Sequence, residues 1–299
     1  MKLNRKQTVF GRHETFPLRY AWLTKGFDAV RQKPDIFDNP ERAMVELGVG
    51  RNMVNAIQYW LQVTRVIAFS EGRGEVTALG DALLGPQGDR YLEDEATLWV
   101  IHWLIASNAT LATGFFWFFN RFAMPRFREP EMRQGLTEFV DQELQVSRSQ
   151  STLKSDCSTL LRMYATTTGQ SEDHLDSPMT QLQLVEIEEG RGFRSLRTVR
   201  PFLPPIALHF ALAQRFAEDS QQVALPVRVV LYGGDDRASV GAAFRLSEEG
   251  LMATMSHVMA RYPHQYELRD TAGVHQIYRG SEIKDPLDVL RLHYQGVTA

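Results

Sequence analysis

The sequence has a single cysteine, Cys157, in 299 residues. One cysteine cannot form an intramolecular disulfide, and it excludes zinc sites that are built on several cysteines. Scarce cysteine and no disulfide are typical of proteins from a reducing compartment. We therefore expect a cytoplasmic protein.

Long apolar runs are also lacking, since no stretch of about 18 apolar residues occurs. The most apolar part, residues 96–122, is interrupted by His102, Ser107 and Asn108, and it predicts two buried helices joined by a short polar turn. Residues 1–14 include basic side chains but no apolar stretch like that of a secretory signal. We expect neither a transmembrane helix nor association with a membrane.

Familiar signatures of nucleotide and metalloprotease chemistry are missing as well. The sequence contains no glycine-rich phosphate loop ending in Lys-Ser or Lys-Thr, no dinucleotide fingerprint and no His-Glu-x-x-His. ATP hydrolysis by this chain is therefore not expected.

The formal net charge of -3 is unevenly distributed. Residues 1–80 carry 12 Lys and Arg against 8 Asp and Glu, residues 81–190 carry 8 against 17, and residues 191–299 carry 13 against 11. Basic ends around an acidic centre favour DNA contact at both ends and a different partner in the centre. The alternative is an uneven distribution that serves only solvation.

The first part of the chain has the pattern of a winged helix. A short helix is predicted to begin at Phe27 and to end before Pro34. Residues 41–47 and 52–63 predict two helices around a glycine turn, which is typical of a helix-turn-helix. A β-hairpin is predicted to follow at residues 66–77.

A second unit repeats this order of elements. Residues 131–144 and 151–164 predict two helices, and residues 182–199 predict a hairpin. The letters EGRG occur in both hairpins, at 71–74 and at 189–192. We interpret the two units as a distant duplication.

The two units are separated by an aromatic-rich segment and followed by a third domain. We expect the aromatic side chains of the segment to form core rather than to stack on bases, and Pro125 and Pro130 to mark a linker. Helices are predicted near residues 206–216, 246–261 and 285–294, with strands at 227–232 and 271–278.

The predicted fold is mainly α with small β-hairpins (α+β), built from tandem winged-helix-like units and a helix-rich C-terminal domain. Four segments are predicted. They are an N-terminal motif with the first winged-helix unit (1–90), an aromatic helical connector (91–130), the second winged-helix-like unit (131–200) and the helix-rich domain (201–299).

Candidate DNA-binding residues lie on the second helix of each unit and on the second hairpin. Arg, Asn and Gln side chains can contact base edges or phosphates, and a helix N-terminus favours a phosphate. The candidates are Arg51, Asn52, Asn55, Gln58, Arg148, Lys154, Arg191, Arg194 and Arg197. In the alternative interpretation these side chains only face water, or the units dock other proteins.

Candidate catalytic residues are concentrated before the first unit. They are Arg12, His13, Glu14, Arg19 and Lys25. His13 and Glu14 can supply a general base, or one ligand each for a divalent ion such as Mg²⁺ or Mn²⁺. The cationic side chains can hold a scissile phosphate. The alternative is a set of ion pairs that closes this segment over an apolar core.

Several segments together resemble a known family. The first is FGRHETFPLRYAWLTKG, from Phe10 to Gly26, and the others lie at residues 45–60, 91–103, 152–156 and 271–273. They are similar to the SspB-type component of bacterial single-stranded DNA phosphorothioation systems. Tyr20 and Ala21 depart from the family pattern, in which a glycine is expected before Trp22.

This resemblance implies a DNA nickase that acts in an anti-phage defence system. It would open one strand so that partner proteins can replace a phosphate oxygen with sulfur. The implied partners are DNA, a cysteine desulfurase, an ATPase and an ATP pyrophosphatase-like sulfurtransferase. A homodimer is a further hypothesis.

Three functional hypotheses follow. In the first, His13 acts as general base or metal ligand of a nickase, Glu14 as metal ligand, and Arg12, Arg19 and Lys25 as phosphate clamps. The second is a non-catalytic DNA-recognition subunit that recruits the sulfur-transfer partners. The third is a transcriptional regulator with a C-terminal effector-binding domain.

Overall fold

The structure is a computed structural model that describes residues 2–166, 177–188, 190, 192–234, 236–271, 274–281 and 285–297. Its helices are α1 (Tyr20–Gln32), α2 (Pro40–Leu47), α3 (Arg51–Val63), α4 (Ala78–Leu84), α5 (Glu95–Ala106), α6 (Thr113–Asn120), α7 (Glu129–Glu138), α8 (Gln150–Tyr164), α9 (Pro205–Ala217), α10 (Val227–Tyr232), α11 (Val240–Ala243), α12 (Glu248–Arg261) and α13 (Pro286–Val297). Short 3₁₀ turns lie at Ile36–Asp38 and Pro178–Leu182, and a π-helical turn at Phe139–Leu144 extends α7.

The strands are short and form three small sheets. They are β1 (Ile67–Ser70), β2 (Arg73–Val76), β3 (Arg126–Phe127), β4 (Ala165–Thr166), β5 (Val185–Glu188), β6 (Gly192–Arg194), β7 (Ala224–Pro226), β8 (Tyr266–Thr271) and β9 (Val274–Arg279). The sheet orders are β1-β2, β3-β6-β5-β4 and β7-β9-β8. Helices predominate, which confirms the predicted α+β class with mainly helical content.

The first helix-turn-helix forms where its capping residues predict it. The side chain of Asn39 accepts a hydrogen bond from the backbone of Arg42, and Gly48 ends α2 with a left-handed φ of 65°. Helix α3 then buries an apolar face against the core, and β1 pairs antiparallel with β2. The predicted order of helix, turn, helix and hairpin is confirmed.

The predicted start of the preceding helix was wrong. Helix α1 begins at Tyr20 rather than at Phe27, and it ends at Gln32, close to the predicted end. Trp22 and Leu23 are buried on the same face as Phe27 and Val30. Because this face continues one and a half turns upstream, the apolar spacing extends the helix into the N-terminal segment.

The aromatic-rich segment forms core, as predicted. Helices α5 and α6 are buried on nearly all sides, and their rings pack on one another and on those of neighbouring elements. The predicted linker after this segment was wrong. Strand β3 pairs with β6 and buries Phe127 beside Phe193, and Pro130 lies in the first turn of α7, where proline fits a helix.

The predicted strand at Val227–Tyr232 was also wrong, because this segment forms helix α10. Its buried side chains are Val227, Val230 and Leu231, and the spacing i, i+3, i+4 is helical. The β-branched composition of the segment had favoured a strand. The strand of this region is instead β7, which pairs with β9.

Buried side chains from all four predicted segments form one continuous core. Helix α9 packs on α5, α12 and α13, so the C-terminal part contacts the centre of the chain directly. Within the described ranges, no helix has the length and apolar character that crossing a membrane requires.

His102 crosslinks this core at its centre. The hydroxyl of Tyr164 lies 2.8 Å from Nδ1, and Nε2 lies 2.8 Å from the carbonyl oxygen of Ala243. A carbonyl can only accept, so Nε2 carries the proton and Nδ1 accepts from the hydroxyl. Burial lowers the pKa of His102 from 6.5 to about 3, so the ring is neutral in the folded protein.

This histidine should make the protein sensitive to acid. Below pH 6.5 the His102 side chain of the unfolded chain binds a proton, whereas in the folded protein it binds one only near pH 3. The free energy of unfolding therefore decreases as the pH falls through this range. The loss approaches about 1.4 kcal/mol per pH unit. Urea unfolding at several pH values should show that the free energy of unfolding depends less steeply on pH in His102→Gln than in the wild type. The exposed-site control His257→Gln should keep the wild-type slope. An unchanged slope in His102→Gln would contradict the assignment.

Candidate functional site

The N-terminal motif forms a loop, residues 10–16, that is fixed to helix α8 by one buried carboxylate. Oδ1 of Asp156 accepts the backbone N–H of Gly11 at 2.8 Å and lies 2.7 Å from Nε2 of His13. A Cβ atom on Gly114 would lie only 2.8 Å from Oδ2 of Asp156. Glycine at this position of α6 therefore leaves the room that the carboxylate needs.

The tautomer of His13 follows from its two partners. The backbone N–H of Thr15 donates to Nδ1 at 3.1 Å, so Nδ1 carries no proton. Nε2 must therefore hold the proton and donate it to Asp156. The ring is fully buried and stacks over Trp60 with centroids 6.5 Å apart. In this arrangement neither nitrogen is free for a substrate or a metal ion.

Further contacts attach the loop to three helices. Nε1 of Trp60 in α3 donates to the carbonyl of Phe16 at 3.2 Å. The guanidinium of Arg162 in α8 donates to the carbonyl of Thr15. The backbone N–H of Val9, just before the loop, donates to the hydroxyl of Thr113 in α6 at 3.0 Å.

The backbone of the loop is strained. Glu14 and Thr15 have φ values of 50° and 66°, in the left-handed region that costs energy for residues other than glycine. Gly11 has a φ of 73° without that cost. Two consecutive strained residues persist because the hydrogen bonds of His13 and Arg162 hold them, and they orient the Glu14 side chain.

Arg12 and Glu14 line a cleft of about 270 Å³ between the loop and α3. The helix contributes three side-chain amides, Asn55, Gln58 and Gln62. The remaining lining residues are Val9, Tyr59 and Leu111. Thus the structure brings two of the predicted catalytic residues together with two of the predicted DNA-binding residues.

The two charged groups of the cleft are available for a ligand. In the described ranges, neither the guanidinium of Arg12 nor the carboxylate of Glu14 has a hydrogen-bond or ion-pair partner. Tyr59, by contrast, is nearly buried, and burial raises its pKa well above the usual range, with a further rise from the Asp156 carboxylate. Its hydroxyl therefore stays protonated at neutral pH.

The cleft offers oxygen donors, which hard divalent cations prefer. The set consists of the Glu14 carboxylate and the amide oxygens of Asn55, Gln58 and Gln62. Mg²⁺ commonly binds through one or two carboxylates and keeps several waters, so this set fits a hydrated ion. It does not form a closed cage, since the described part of the chain has no group of three or more His, Cys, Asp or Glu side chains suited to hold a metal.

The other two predicted catalytic residues, Arg19 and Lys25, do not line the cleft. Arg19 is half-buried at the N-terminus of α1, with its guanidinium 5.5 Å from the Trp22 ring centroid. Lys25 is exposed on α1.

The predicted DNA-binding residues on helices α3 and α8 remain at the surface. Arg51 and Asn52 are exposed in the first turn of α3, and Lys154 is exposed on α8. Arg148 bridges to the N-terminal segment by donating to the carbonyl of Thr8 at 3.2 Å.

The arginines of the second hairpin are engaged within the protein. Arg194 forms an ion pair with Glu186, 2.5 Å apart. Arg197 donates to the carbonyl of Leu231 and stacks over Tyr232, with 4.8 Å to the ring centroid. Arg191 lies outside the described residues.

Sequence reasoning missed three residues of the site. Asp156 belongs to a segment of the resemblance but has no predicted role, and neither Gln62 nor Tyr59 is among the predicted site residues. Gln62 follows Asn55 and Gln58 at helical spacing, so the face of α3 could have revealed it. The partner of His13 lies 143 residues away, and no local pattern indicates it.

Comparison with known proteins gives one family and two structures. The sequence matches a family described as "Protein of unknown function (DUF4007)" over residues 10–294. No curated protein matches it. A magnesium ion-bound SspB crystal structure is 23% identical, with a TM-score of 0.86 over 99% of this chain and 91% of that chain. A second SspB crystal structure is 24% identical, with a TM-score of 0.83 over 97% and 89%. The predicted resemblance to SspB is therefore confirmed at the level of the fold.

The attachment of the loop by His13 can be tested by stability. His13→Ala removes a buried donor and leaves the Asp156 carboxylate short of a partner, so it should lower the free energy of unfolding by about 3 kcal/mol. Urea denaturation measures this change. His275→Ala removes an exposed histidine 3.7 Å from Asp270 and should change stability by less than about 0.5 kcal/mol. Equal effects of the two substitutions would show that His13 does not anchor the loop.

Proposed function

The chain belongs to the DUF4007 family, and from this membership, the SspB fold and the cleft we propose that it is a DNA-binding nicking endonuclease. It opens one strand for phosphorothioate modification in a bacterial anti-phage defence system. The observation that carries this proposal is the free Arg12 and Glu14 pair beside the amide-bearing face of α3. Fold alone would not support an activity.

The two charged groups suit phosphodiester cleavage. The Arg12 guanidinium can bind the scissile phosphate in a forked geometry and stabilise the charge that develops on its oxygens. The Glu14 carboxylate can accept the proton of an attacking water. The amides of Asn55 and Gln58 can hold the neighbouring nucleotides through base edges or phosphates.

A divalent cation fits this mechanism. Glu14 would hold Mg²⁺ or Mn²⁺ together with the amide oxygens of Asn55, Gln58 and Gln62. When bound, such an ion activates water and neutralises charge on the phosphate. The SspB crystal structure with a bound magnesium ion supports the proposal that the cation is Mg²⁺.

His13 acts in this proposal as a positioning residue. Its ring is held between Asp156 and Thr15, so its hydrogen bonds fix the backbone that places Arg12 and Glu14 in the cleft. To serve as general base or metal ligand it would have to leave one of these partners. Arg19 and Lys25 would act beside the cleft, as a second layer of positive charge for DNA.

Sulfur transfer itself is assigned to partner proteins. The single cysteine, Cys157, is buried, and burial raises the pKa of its thiol, so it is a poor nucleophile. From the resemblance we propose that the chain acts in the cytoplasm with a cysteine desulfurase, an ATPase and an ATP pyrophosphatase-like sulfurtransferase. Its own product would be the nicked strand.

A second candidate is a non-catalytic DNA-recognition subunit that recruits these partners. The hydrogen bonds of both His13 nitrogens favour this candidate, because the cleft then contains one carboxylate and no free imidazole. A basic residue and three amides can contact DNA without cleaving it.

Plasmid nicking separates the two candidates. Purified protein should convert supercoiled plasmid to open circles with Mg²⁺ or Mn²⁺ and not with EDTA. Glu14→Gln and Arg12→Ala should each lower the rate by about 100-fold, because the first removes the carboxylate that holds the cation or accepts the proton of water and the second removes the cation that binds the scissile phosphate. Glu249→Gln, a change of an exposed carboxylate on α12, is the matched control and should keep the wild-type rate. Absence of open circles with retained DNA binding would favour the recognition subunit, and full activity of Glu14→Gln would refute its role.

The DNA surface can be mapped by salt dependence. Each of Arg51→Ala and Lys154→Ala should weaken duplex binding and reduce the slope of log affinity against log salt by about 0.9, because each loses one phosphate contact. Fluorescence anisotropy with a labelled duplex measures the slope. Arg291→Ala, at an exposed position of α13, should leave it unchanged. If the slopes for Arg51→Ala and Lys154→Ala are also unaltered, the DNA binds to a different surface.

A further inference from the structure

The cleft between the N-terminal loop and α3 is lined by a tyrosine, Tyr59, that the reaction described above does not use. Its ring packs edge-on against two neighbours, with centroid distances of 4.9 Å to Trp60 and 6.0 Å to His13. Both neighbours also make the hydrogen bonds that hold the loop. The ring is therefore held by the same part of the structure that positions Arg12 and Glu14.

The hydroxyl of Tyr59 is open to a ligand. In the described part of the chain it has no hydrogen-bond partner, although the hydroxyl of a nearly buried tyrosine usually has one. The oxygen is not among the unpaired polar atoms that are sealed from solvent. The small exposed fraction of Tyr59, 8%, therefore includes its oxygen, and a ligand in the cleft can provide the missing partner.

This hydroxyl is suited to donate a proton rather than to attack phosphorus. Burial raises the pKa of Tyr59 well above its usual range, and the carboxylate of Asp156 raises it further. The phenol therefore stays protonated until negative charge develops beside it. A covalent attack would require the phenolate, which this environment disfavours.

Strand cleavage needs a proton donor at the oxygen that leaves. Without one, the sugar oxygen would leave as an alkoxide, which is a stronger base than a phenolate. Among the described residues that line the cleft, Arg12 does not release its proton, the amides are not acids, and Glu14 has to accept the proton of water. His13 is excluded because both of its nitrogens have partners.

We propose that Tyr59 is the general acid of strand cleavage, an inference that rests on the proposed nicking function. A water oxygen bonds to phosphorus while Glu14 accepts the water proton, and the bond between phosphorus and the leaving sugar oxygen breaks. The Tyr59 hydroxyl donates its proton to that oxygen. The products are a phosphate end and a hydroxyl end, and the proton on Glu14 returns to the phenolate through solvent.

A substrate with a bridging sulfur in place of the leaving oxygen tests this role. Mapping the strand ends in the open circles first shows where the plasmid is cut and which sugar oxygen leaves. A duplex oligonucleotide with this site is then made with either oxygen or sulfur at that position. The sulfur leaves as a thiolate without a proton, because thiols ionise at about pH 8.5.

Tyr59→Phe keeps the ring and removes only the hydroxyl. It should cleave the oxygen duplex about 100-fold more slowly than the wild type, and the sulfur duplex at a rate within about threefold of the wild type. Tyr91→Phe is the matched control, since Tyr91 is exposed and does not line the cleft. This variant should cleave both duplexes at the wild-type rate.

The outcomes separate this inference from the nicking function itself. An equal loss of rate on both duplexes would mean that the hydroxyl has only a structural role. An unchanged rate on the oxygen duplex would remove Tyr59 from the reaction, and either result overturns the inference while nicking stands. A wild-type protein that cuts no plasmid would refute the nickase, and the general acid with it.

Discussion

The hydrogen bonds of Asp156 hold the N-terminal loop to the body of the protein. One carboxylate oxygen accepts from both Gly11 and His13, which lie 145 and 143 residues earlier in the chain. Through His13 it also fixes Thr15, and so keeps two strained residues in place. Without these hydrogen bonds, the loop conformation that directs Arg12 and Glu14 into the same cleft would not be fixed.

The hydrogen bonds of Asp156 also determine which residues of the N-terminal motif can contact a ligand. A histidine that donates with one nitrogen and accepts with the other is occupied, whereas Arg12 and Glu14 are free of partners in the described chain. The proposed phosphodiester chemistry therefore depends on a cation, a carboxylate and the amides of α3. The buried thiol of Cys157 leaves sulfur chemistry to other proteins.

Much of the fold could be predicted from local signals, and the site could not. Caps such as Asn39 and Gly48 and the apolar face of α3 act within one helix, so the sequence displays them. Helix α10 was mispredicted because its β-branched residues favour a strand, and strand β3 because the prolines on either side of it indicate a linker. The site depends on a contact between residues far apart in the sequence, since the hydrogen-bond partner of His13 is Asp156 in α8.

Crystals soaked in Mn²⁺ would test the central arrangement most directly, through an anomalous difference map. The proposed site predicts a peak within about 2.2 Å of a carboxylate oxygen of Glu14, with His13 still bound to Asp156. A peak bonded to a nitrogen of His13, with the loop displaced from Asp156, would contradict it. So would a metal bound elsewhere with the cleft empty, because Glu14 would then have no part in holding the ion.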